Sequence, residues 1–470
     1  MKIIGREKEQ RLFAQYLQSE SPEFVAVYGR RRVGKTFLIN EFFREEYAFS
    51  VMGLAGEGKA AQLANFFTAL KKYGSKAAAP PRSWYDAFEL LIDLLGHTRQ
   101  KGRKILFVDE LPWFDTKKSG FLPALEHFWN GWAASKPEIL LIVCGSSTSW
   151  MIKKLIRNRG GLHNRVTRRV RIDPFTLGET EEYLTYKNIL WARKDIAEAY
   201  MIFGGIPFYL SQLQRGMSLA QNVDALCFEK DAFMQNEFST LFASLFNDSG
   251  NHVRALRALA AKKSGLLRDE ILKAAGLTTG GSATVLLEEL EQCGFIERYN
   301  DYSGKSGRYV YQTTDFFTVF YLKHMKNNWQ LGAGYWSKSI GKGAYNNWRG
   351  QSFEKLCLSH IEKIKTKLGI SGIIAVPFAW KSANGSSRAQ IDLLIDRNDG
   401  VINVCECKFV DEAFLIDKAV STELRERVAA FRGETKTKKA CHLTMITSFG
   451  VKPGKYAGAV QSEVLLDDLF

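Results

Sequence analysis

The chain has 470 residues, 46% of them hydrophobic, with 65 Lys and Arg against 50 Asp and Glu and a formal net charge of +15. This is the composition of an ordinary soluble protein, long enough for roughly three domains of about 100–200 residues, each able to bury a core. The positive balance favours polyanionic partners such as nucleic acid, with membrane headgroups or plain solubility as the alternatives. The seven cysteines are odd in number and contain no CxxC pair, so neither a disulfide framework nor a zinc ribbon is indicated and reduced core thiols are expected.

The start of the chain, MKIIGREKEQ, has no secretory apolar core, and the longest apolar runs, such as ILLIVC at 139–144, are too short to cross a bilayer. A cytoplasmic protein without a membrane partner is expected. Residues 24–28, FVAVY, form a short apolar run leading into GRRRVGKT at 29–36 and then the helical pattern FLINEFF. That order predicts strand, loop, helix, and the loop fits the phosphate-binding pattern GxxxxGKT. Gly29, Arg30, Arg31, Arg32, Val33 and Gly34 would present backbone N–H groups to phosphate oxygens. Lys35 would reach the β and γ phosphates of ATP, and Thr36 would ligate Mg2+. The three arginines are unusual in such a loop, and solvation, phosphate contact and contact with a neighbouring subunit are all open to them.

KILFVDE, at 104–110, runs apolar residues into two acids, as a buried parallel strand does when it delivers carboxylates to the sheet's carboxyl edge. Asp109 is expected to hold magnesium through water, and Glu110 to orient or deprotonate the attacking water. A third strand, EILLIVCGSSTSWM, ends in Ser146 and Ser147, where a γ-phosphate sensor would lie. Residues 152–171, IKKLIRNRGGLHNRVTRRVR, then carry eight basic residues and no acid. A solvated surface, a nucleic-acid contact and an arginine finger reaching an adjacent subunit's ATP site all suit such a run. GGIPFYL at 204–210 has the glycines and proline of a helix-opening turn.

Taken together, IIGREKEQRLF, YGRRRVGKT, LFVDE, CGSSTSWM, NRVTRRVRIDPFTLGE and GGIPFYL resemble the archaeal-type ATPases, P-loop proteins related to AAA+ and signal-transduction ATPases. The resemblance covers about half the chain, to roughly residue 235. It implies ATP binding and hydrolysis, Ser147 or Ser146 as sensor, Arg165 as the finger and assembly into a homo-oligomer. Many relatives have Gly-Arg where this chain has Asn164-Arg165.

Residues 251–312 read as a winged helix, with three helical patterns followed by the hairpin FIERYNDYSGKSGRYVYQ. Val285, Leu286 and Leu290 suit a packed third helix. In a DNA reader that helix enters the major groove, yet Glu288, Glu289 and Glu291 on it would be repelled by phosphates, which favours a structural or docking role. Arg254, Arg257, Lys262, Lys263 and Arg268, or Lys305 and Arg308 on the wing, are the better candidates for DNA contact.

After a mainly helical bridge, SSRAQIDLLIDRNDGVINVCECKF predicts two alternating strands joined at Asp399-Gly400. Alternation sets Asp392, Leu394 and Asp396 on one face of the first strand. On the second it sets Glu406 with Lys408 on one face and Cys405, Cys407 and Phe409 on the other. An acid followed by ExK supplies two carboxylates for a hard divalent cation and one ammonium to activate water or steady a phosphorane. Glu354, on the preceding amphipathic helix, can add a third carboxylate, with Mg2+ or Mn2+ as the metal.

This segment resembles the PD-(D/E)xK restriction-endonuclease-like domains and, behind an archaeal-type ATPase, the domain of unknown function 234; Ile391 stands where a proline often precedes the acid. The expected fold is a multidomain α/β chain. Its parts are a P-loop ATPase core at 1–175, a helical lid at 176–245, a winged helix at 246–315, a helical bridge at 316–344 and a nuclease-like α/β domain at 345–470. Two functions follow. In the one that the complete set Glu354, Asp392, Glu406 and Lys408 favours, nucleotide state controls DNA binding and metal-dependent DNA cleavage; in the alternative, the chain is a nucleotide-dependent switch or scaffold whose nuclease fold binds without cutting.

Overall fold

The structure is a computed structural model and describes residues 2–470 apart from 99–101, 158–159, 163, 247–248, 263–264, 303–307, 329–331, 333 and 383–388. The chain divides into two compact units, Met1–Pro174 and Phe175–Phe470.

The first unit is built on runs too apolar to face water. β1 (Glu23–Tyr28), β2 (Phe49–Met52), β3 (Lys104–Asp109), β4 (Ile139–Gly145) and β5 (Arg168–Arg171) form one sheet in the order β2-β3-β4-β1-β5, every pair parallel. Parallel strands need helical crossovers, which cover both faces, so β4 is buried at every residue and β3 at all but its first. One large core gathers Phe24, Phe49 and Leu141 from the strands with Phe66, Trp84, Phe121 and Phe128 from the helices Lys59–Lys72, Trp84–His97 and Phe121–Gly131. The helix Trp84–His97 starts where the sequence can satisfy its free N–H groups: Ser83 accepts from Asp86 N–H and the Asp86 carboxylate accepts in return.

The second unit opens with helices, among them Leu177–Tyr186, Arg193–Phe203 and Glu237–Leu245. Gly204 and Gly205 turn the chain with φ of +70° and +63°, and Pro207 opens the next short helix. A Cβ at Gly205 would stand 2.3 Å from the Phe175 carbonyl oxygen, so only glycine fits there.

The helices Gly250–Ala260, Arg268–Ala275 and Gly281–Gln292 follow, with β6 (Leu266–Leu267), β7 (Ile296–Asp301) and β8 (Tyr309–Thr313). The third helix buries Ala283, Leu286, Leu287 and Leu290, whereas Val285, expected inside, is 43% exposed. The reason is helical spacing: positions 283, 286, 287 and 290 share a face, and 285 points away from it. Two of its acids are tied within the same group of elements, Glu289 to His252 at 3.0 Å and Glu291 to Arg298 at 3.2 Å. Of the basic positions expected to meet DNA, Lys263 and Lys305 lie outside the described residues. Arg254 bonds Asn251, and Arg268 bonds the Gly280 carbonyl at 3.2 Å.

The remaining strands are β9 (Ala375–Lys381), β10 (Gln390–Arg397), β11 (Val401–Lys408), β12 (Ala440–Thr447) and β13 (Ser462–Leu465). They join the hairpin β7–β8 in one eight-stranded sheet, β13-β12-β11-β10-β9-β7-β8-β6, because Asn300 and Asp301 of β7 pair in parallel with Phe378 and Ala379 of β9. The regions expected at 246–315 and 345–470 therefore share backbone hydrogen bonds. All seven cysteines are free.

Buried histidines give this unit an acid sensitivity. His360 accepts from Leu177 N–H at Nε2 (3.1 Å) and meets the Leu356 carbonyl at Nδ1 (3.0 Å), an arrangement that needs the neutral ring. Burial pushes His360 down to about 4, and burial together with Lys323 does the same for His324. In both the unfolded chain binds the proton first, so stability is full above about 6.5 and is lost as pH falls towards 4. The melting temperature is expected to drop through that window, and His360→Gln, which keeps an acceptor and a donor, to flatten the slope. An unchanged slope would remove His360 as a source.

Candidate nucleotide site and the ExK face

Between β1 and the helix Lys35–Phe43 the backbone turns through left-handed conformations at Gly29 (φ +145°), Arg32 (+72°) and Gly34 (+86°). A Cβ at Gly29 would stand 2.2 Å from the carbonyl oxygen of Ile172. The glycine is thus dictated by close approach as well as by φ. The Lys35 ammonium donates to the carbonyls of Gly29 and Arg30, both at 2.9 Å, which holds it over the loop. Arg30 and Val33 are buried, and Arg31 and Arg32 are half-buried. Arg6, itself buried, donates to the Val33 carbonyl at 3.3 Å. Sequence reading gave Arg6 no role; its place in the stretch IIGREKEQ was the only signal.

β3 brings its acids to the same edge. Thr36 Oγ1 donates to Asp109 Oδ2 at 2.8 Å, and Glu110 N–H donates to Asp109 Oδ1 at 2.8 Å. Glu110 leaves the strand in a left-handed turn, φ +47°. A Cβ at Gly53 would stand 2.6 Å from its carbonyl oxygen, so that glycine makes room for the turn. The Glu110 carboxylate accepts from Ser146 through both N–H (3.0 Å) and Oγ (2.9 Å) at the end of β4. Of the two serines it is Ser146 that touches the acid; Ser147 precedes the short helix Thr148–Trp150, its carbonyl accepting from Met151 N–H at 3.0 Å. Arg165 is exposed on a turn, its N–H bonded to the Leu162 carbonyl at 3.1 Å.

These residues fit a magnesium nucleotide. Left-handed turns of this kind let successive backbone amides converge on an anion, and the Thr36–Asp109 pair offers the hard oxygen donors that Mg2+ takes. Bound MgATP would supply the transferable γ-phosphoryl group and the metal that offsets its charge. Around it Lys35 would hold phosphate oxygens, Thr36 and Asp109 the metal shell, and Glu110 a water proton, with Ser146 setting where that carboxylate points.

In the second unit β10 and β11 pair antiparallel with Leu393 opposite Cys405, Leu394 opposite Val404 and Asp396 opposite Ile402. A bulge against β9 between Ile391 and Leu394 puts both of those residues into one cluster with Ile402, Val404 and Phe431, the last on the helix Lys418–Thr435. The expected grouping of Asp392 with Leu394 and Asp396 by alternation is thus broken, because the bulge sets Asp392 and Leu393 together against Ala379 of β9. On that face Lys408 Nζ lies 2.9 Å from Glu406 Oε1, Arg427 of the same helix pairs with Glu406 Oε2, and Lys439 lies 2.6 Å from Asp396. Gln390 donates to Asp392.

Glu354 lies on a helix that covers the cysteine face of β11. Its helix, Gly343–Ser359, packs on the other face of β11, where Phe353 meets Phe409 with ring centroids 5.2 Å apart. There a hydrogen bond with Cys357, together with burial and the neighbouring Glu354, pushes the Cys407 thiol up, and burial does the same for Cys405. The cysteines thus lie on the core side, as alternation requires. Among the described residues no group of three or more His, Cys, Asp or Glu side chains is placed to hold a metal. Both oxygens of Glu406 are paired with protein cations, Oε1 with Lys408 and Oε2 with Arg427.

A phosphate loop after β1 and an acidic pair after β3, with β4 between them in a parallel sheet, define a P-loop ATPase domain. Residues 3–213, under half of the chain, match a family model described as an ATPase domain predominantly from Archaea. An uncharacterised protein of Methanocaldococcus jannaschii is 25% identical over 363 residues, 75% of this chain and 76% of the relative. Among solved structures, the Walker-type ATPase of Pyrococcus abyssi aligns at 20% identity over 68% of this chain and 96% of its own, with a TM-score of 0.49. The ORC2 protein of Aeropyrum pernix, in its ADPNP and ADP complexes, aligns at 14% identity over 70% and 95%, with a TM-score of 0.41. Among the described residues no helix is long and apolar enough to cross a membrane.

Proposed function

We propose that the first unit hydrolyses ATP and that its nucleotide state controls DNA binding by the chain, with the second unit acting as a binding module that does not cut. The observation that carries the ATPase half is the chain of contacts Thr36–Asp109–Glu110–Ser146, which joins the phosphate loop to the end of β4. DNA binding is supported by charge: Lys154, Arg157, Arg165 and Arg169 are exposed in a stretch without acids, within a chain of net charge +15. The exposed turn also suits Arg165 to reach the ATP site of a second copy. Binding without cutting is favoured over Mg2+-dependent cleavage by the ion pairs that occupy Glu406. Cleavage keeps one observation in its favour, Lys408 standing 2.9 Å from Glu406 on β11.

Fluorescence anisotropy of labelled duplex DNA with the full chain, under ATP, ADP and a non-hydrolysable analogue, tests this reading. Affinity is expected to differ between nucleotide states and to fall steeply with salt, and the DNA to stay intact with Mg2+ or Mn2+. Equal affinity in all states would sink the switch. Cutting that disappears in Asp392→Ala would restore the nuclease.

A further inference from the structure

We propose that the helix Lys418–Thr435 and the groove beside it form a docking surface for single-stranded nucleic acid, with Lys418, Arg425 and Arg432 on the backbone phosphates and unstacked bases in the groove. This rests on the reading of the chain as a DNA-binding protein and names the surface and the form of the partner.

The helix is held on the sheet by its buried side, Leu424 in one cluster with Leu443 and Met445, and Phe431 against Trp380 with ring centroids 5.4 Å apart. With about 100° of turn per residue, Lys418, Arg425 and Arg432 fall within about 20° of one line along the helix, each about 10.5 Å from the next. All three are exposed. None of their side chains has a hydrogen bond or an acid partner among the described residues. The acids of the helix lie elsewhere: Glu423, Glu426 and Glu434 are at least about 100° round from that line, and Glu423 already pairs with Arg427. Asp417, before the helix, caps it by accepting from Val420 N–H at 2.8 Å. Three cations in a row without a carboxylate between them repel one another until an anion neutralises them, which is what a phosphate backbone does. Beside the row lies a groove of about 400 Å³, lined by Leu424, Val428 and Ala429 of the helix, by Leu443, Ala459 and Gln461 across from it, and by Arg425 and Arg432 themselves. Glu463, two positions past Gln461, is bonded to Val451 N–H at 2.7 Å. Duplex DNA keeps its base faces stacked, so it could use the cations but not the apolar groove. A single strand can use both, because its unstacked bases have apolar faces that lose water on entering.

The test is binding of a labelled single-stranded oligothymidylate to the nucleotide-free full chain, read by fluorescence anisotropy across a range of salt. Each phosphate contact of a single strand contributes about 0.7 to the slope of log affinity against log salt. Lys418→Gln, Arg425→Gln and Arg432→Gln combined should therefore lower that slope by about 2. Ala429→Glu, which sets a carboxylate between the two arginines, should weaken binding even if the triple variant folds poorly. An abasic oligonucleotide of the same length should bind wild type more weakly with the same slope, and duplex DNA at equal phosphate concentration should not displace the single strand. An unchanged slope in the triple variant together with unchanged affinity in Ala429→Glu, equal affinity for the abasic strand, or displacement by duplex overturns the proposal. Displacement by polyglutamate at equal charge overturns it as well and gives the surface to an acidic protein. The measurement uses no nucleotide, so failure of the nucleotide switch would leave its outcome unaffected, whereas a wild type that binds no DNA of any form overturns both readings.

Discussion

Glu110→Gln is expected to retain MgATP and to slow its hydrolysis by roughly 10²- to 10⁴-fold, the range for a positioned acid–base group. The amide keeps the size of the side chain and an oxygen to accept from Ser146, so the loss is confined to taking up the water proton. Lys35→Ala should act differently. It removes the ammonium held over the carbonyls of Gly29 and Arg30, and with it the charge that meets phosphate, so tight nucleotide binding itself should be lost. Ser146→Ala should fall between these, with ATP bound and turnover reduced, because Glu110 loses the hydroxyl that orients it but keeps the Ser146 N–H. Binding measured with a fluorescent ATP analogue and turnover measured by phosphate release separate the three. Near-normal hydrolysis in Glu110→Gln would take that residue out of the proton-accepting role, and tight ATP binding in Lys35→Ala would do the same for the cradle.

The second large effect is on stability. Arg349→Ala should destabilise the second unit by about 2–4 kcal/mol, the sum of lost charged hydrogen bonds and lost stacking on aromatic faces. Its guanidinium is buried, grips Asp411 through both oxygens at 3.0 and 3.1 Å, and lies over the rings of Tyr345 and Phe409 at 4.9 and 5.4 Å. Lys194, on the helix Arg193–Phe203, pairs with the same carboxylate, and Tyr345 donates to the buried Glu198 of that helix. Arg349 therefore ties the loop after β11 to the first helices of the unit. Arg349→Lys keeps the charge but not the fork and should recover less than half of the loss. Asp411→Ala should cost less than Arg349→Ala, because the Asp411 side chain is 62% exposed and water screens its half of the pair.

The Arg349 and Lys194 cations hold Asp411 at about 2, below its ordinary 3.8. Its contribution is therefore complete above about 3.8 and is lost as pH falls through 2, well below the window set by the histidines. Denaturant titration at neutral pH checks the ranking, and a loss from Arg349→Ala below about 1 kcal/mol would show that solvent already screens the whole network.

Much of the nucleotide site was legible in the sequence because its parts are local. A glycine loop after an apolar run and a pair of acids after another are set by short-range rules: left-handed turns need glycine, and buried parallel strands need continuous apolar residues. The face of Cys405, Cys407 and Phe409 was legible for the same reason, strand alternation. Three things came only from contacts distant in sequence. Alternation placed Asp392 with Leu394 but could not reveal the bulge at Ile391 and Leu394, which depends on β9. No local rule told that Asn300 and Asp301 would pair with β9 and make one sheet of two expected domains. Nor did the spacing of Asp392, Glu406 and Lys408 disclose Arg427, nineteen positions past Lys408, or the side of the sheet that Glu354's helix covers. Residue types and short spacings determined which groups each strand and loop carries; which of them meet, and whether a carboxylate faces a metal or an arginine, was decided by how helices pack on the sheet, since Coulomb energy depends on distance in space.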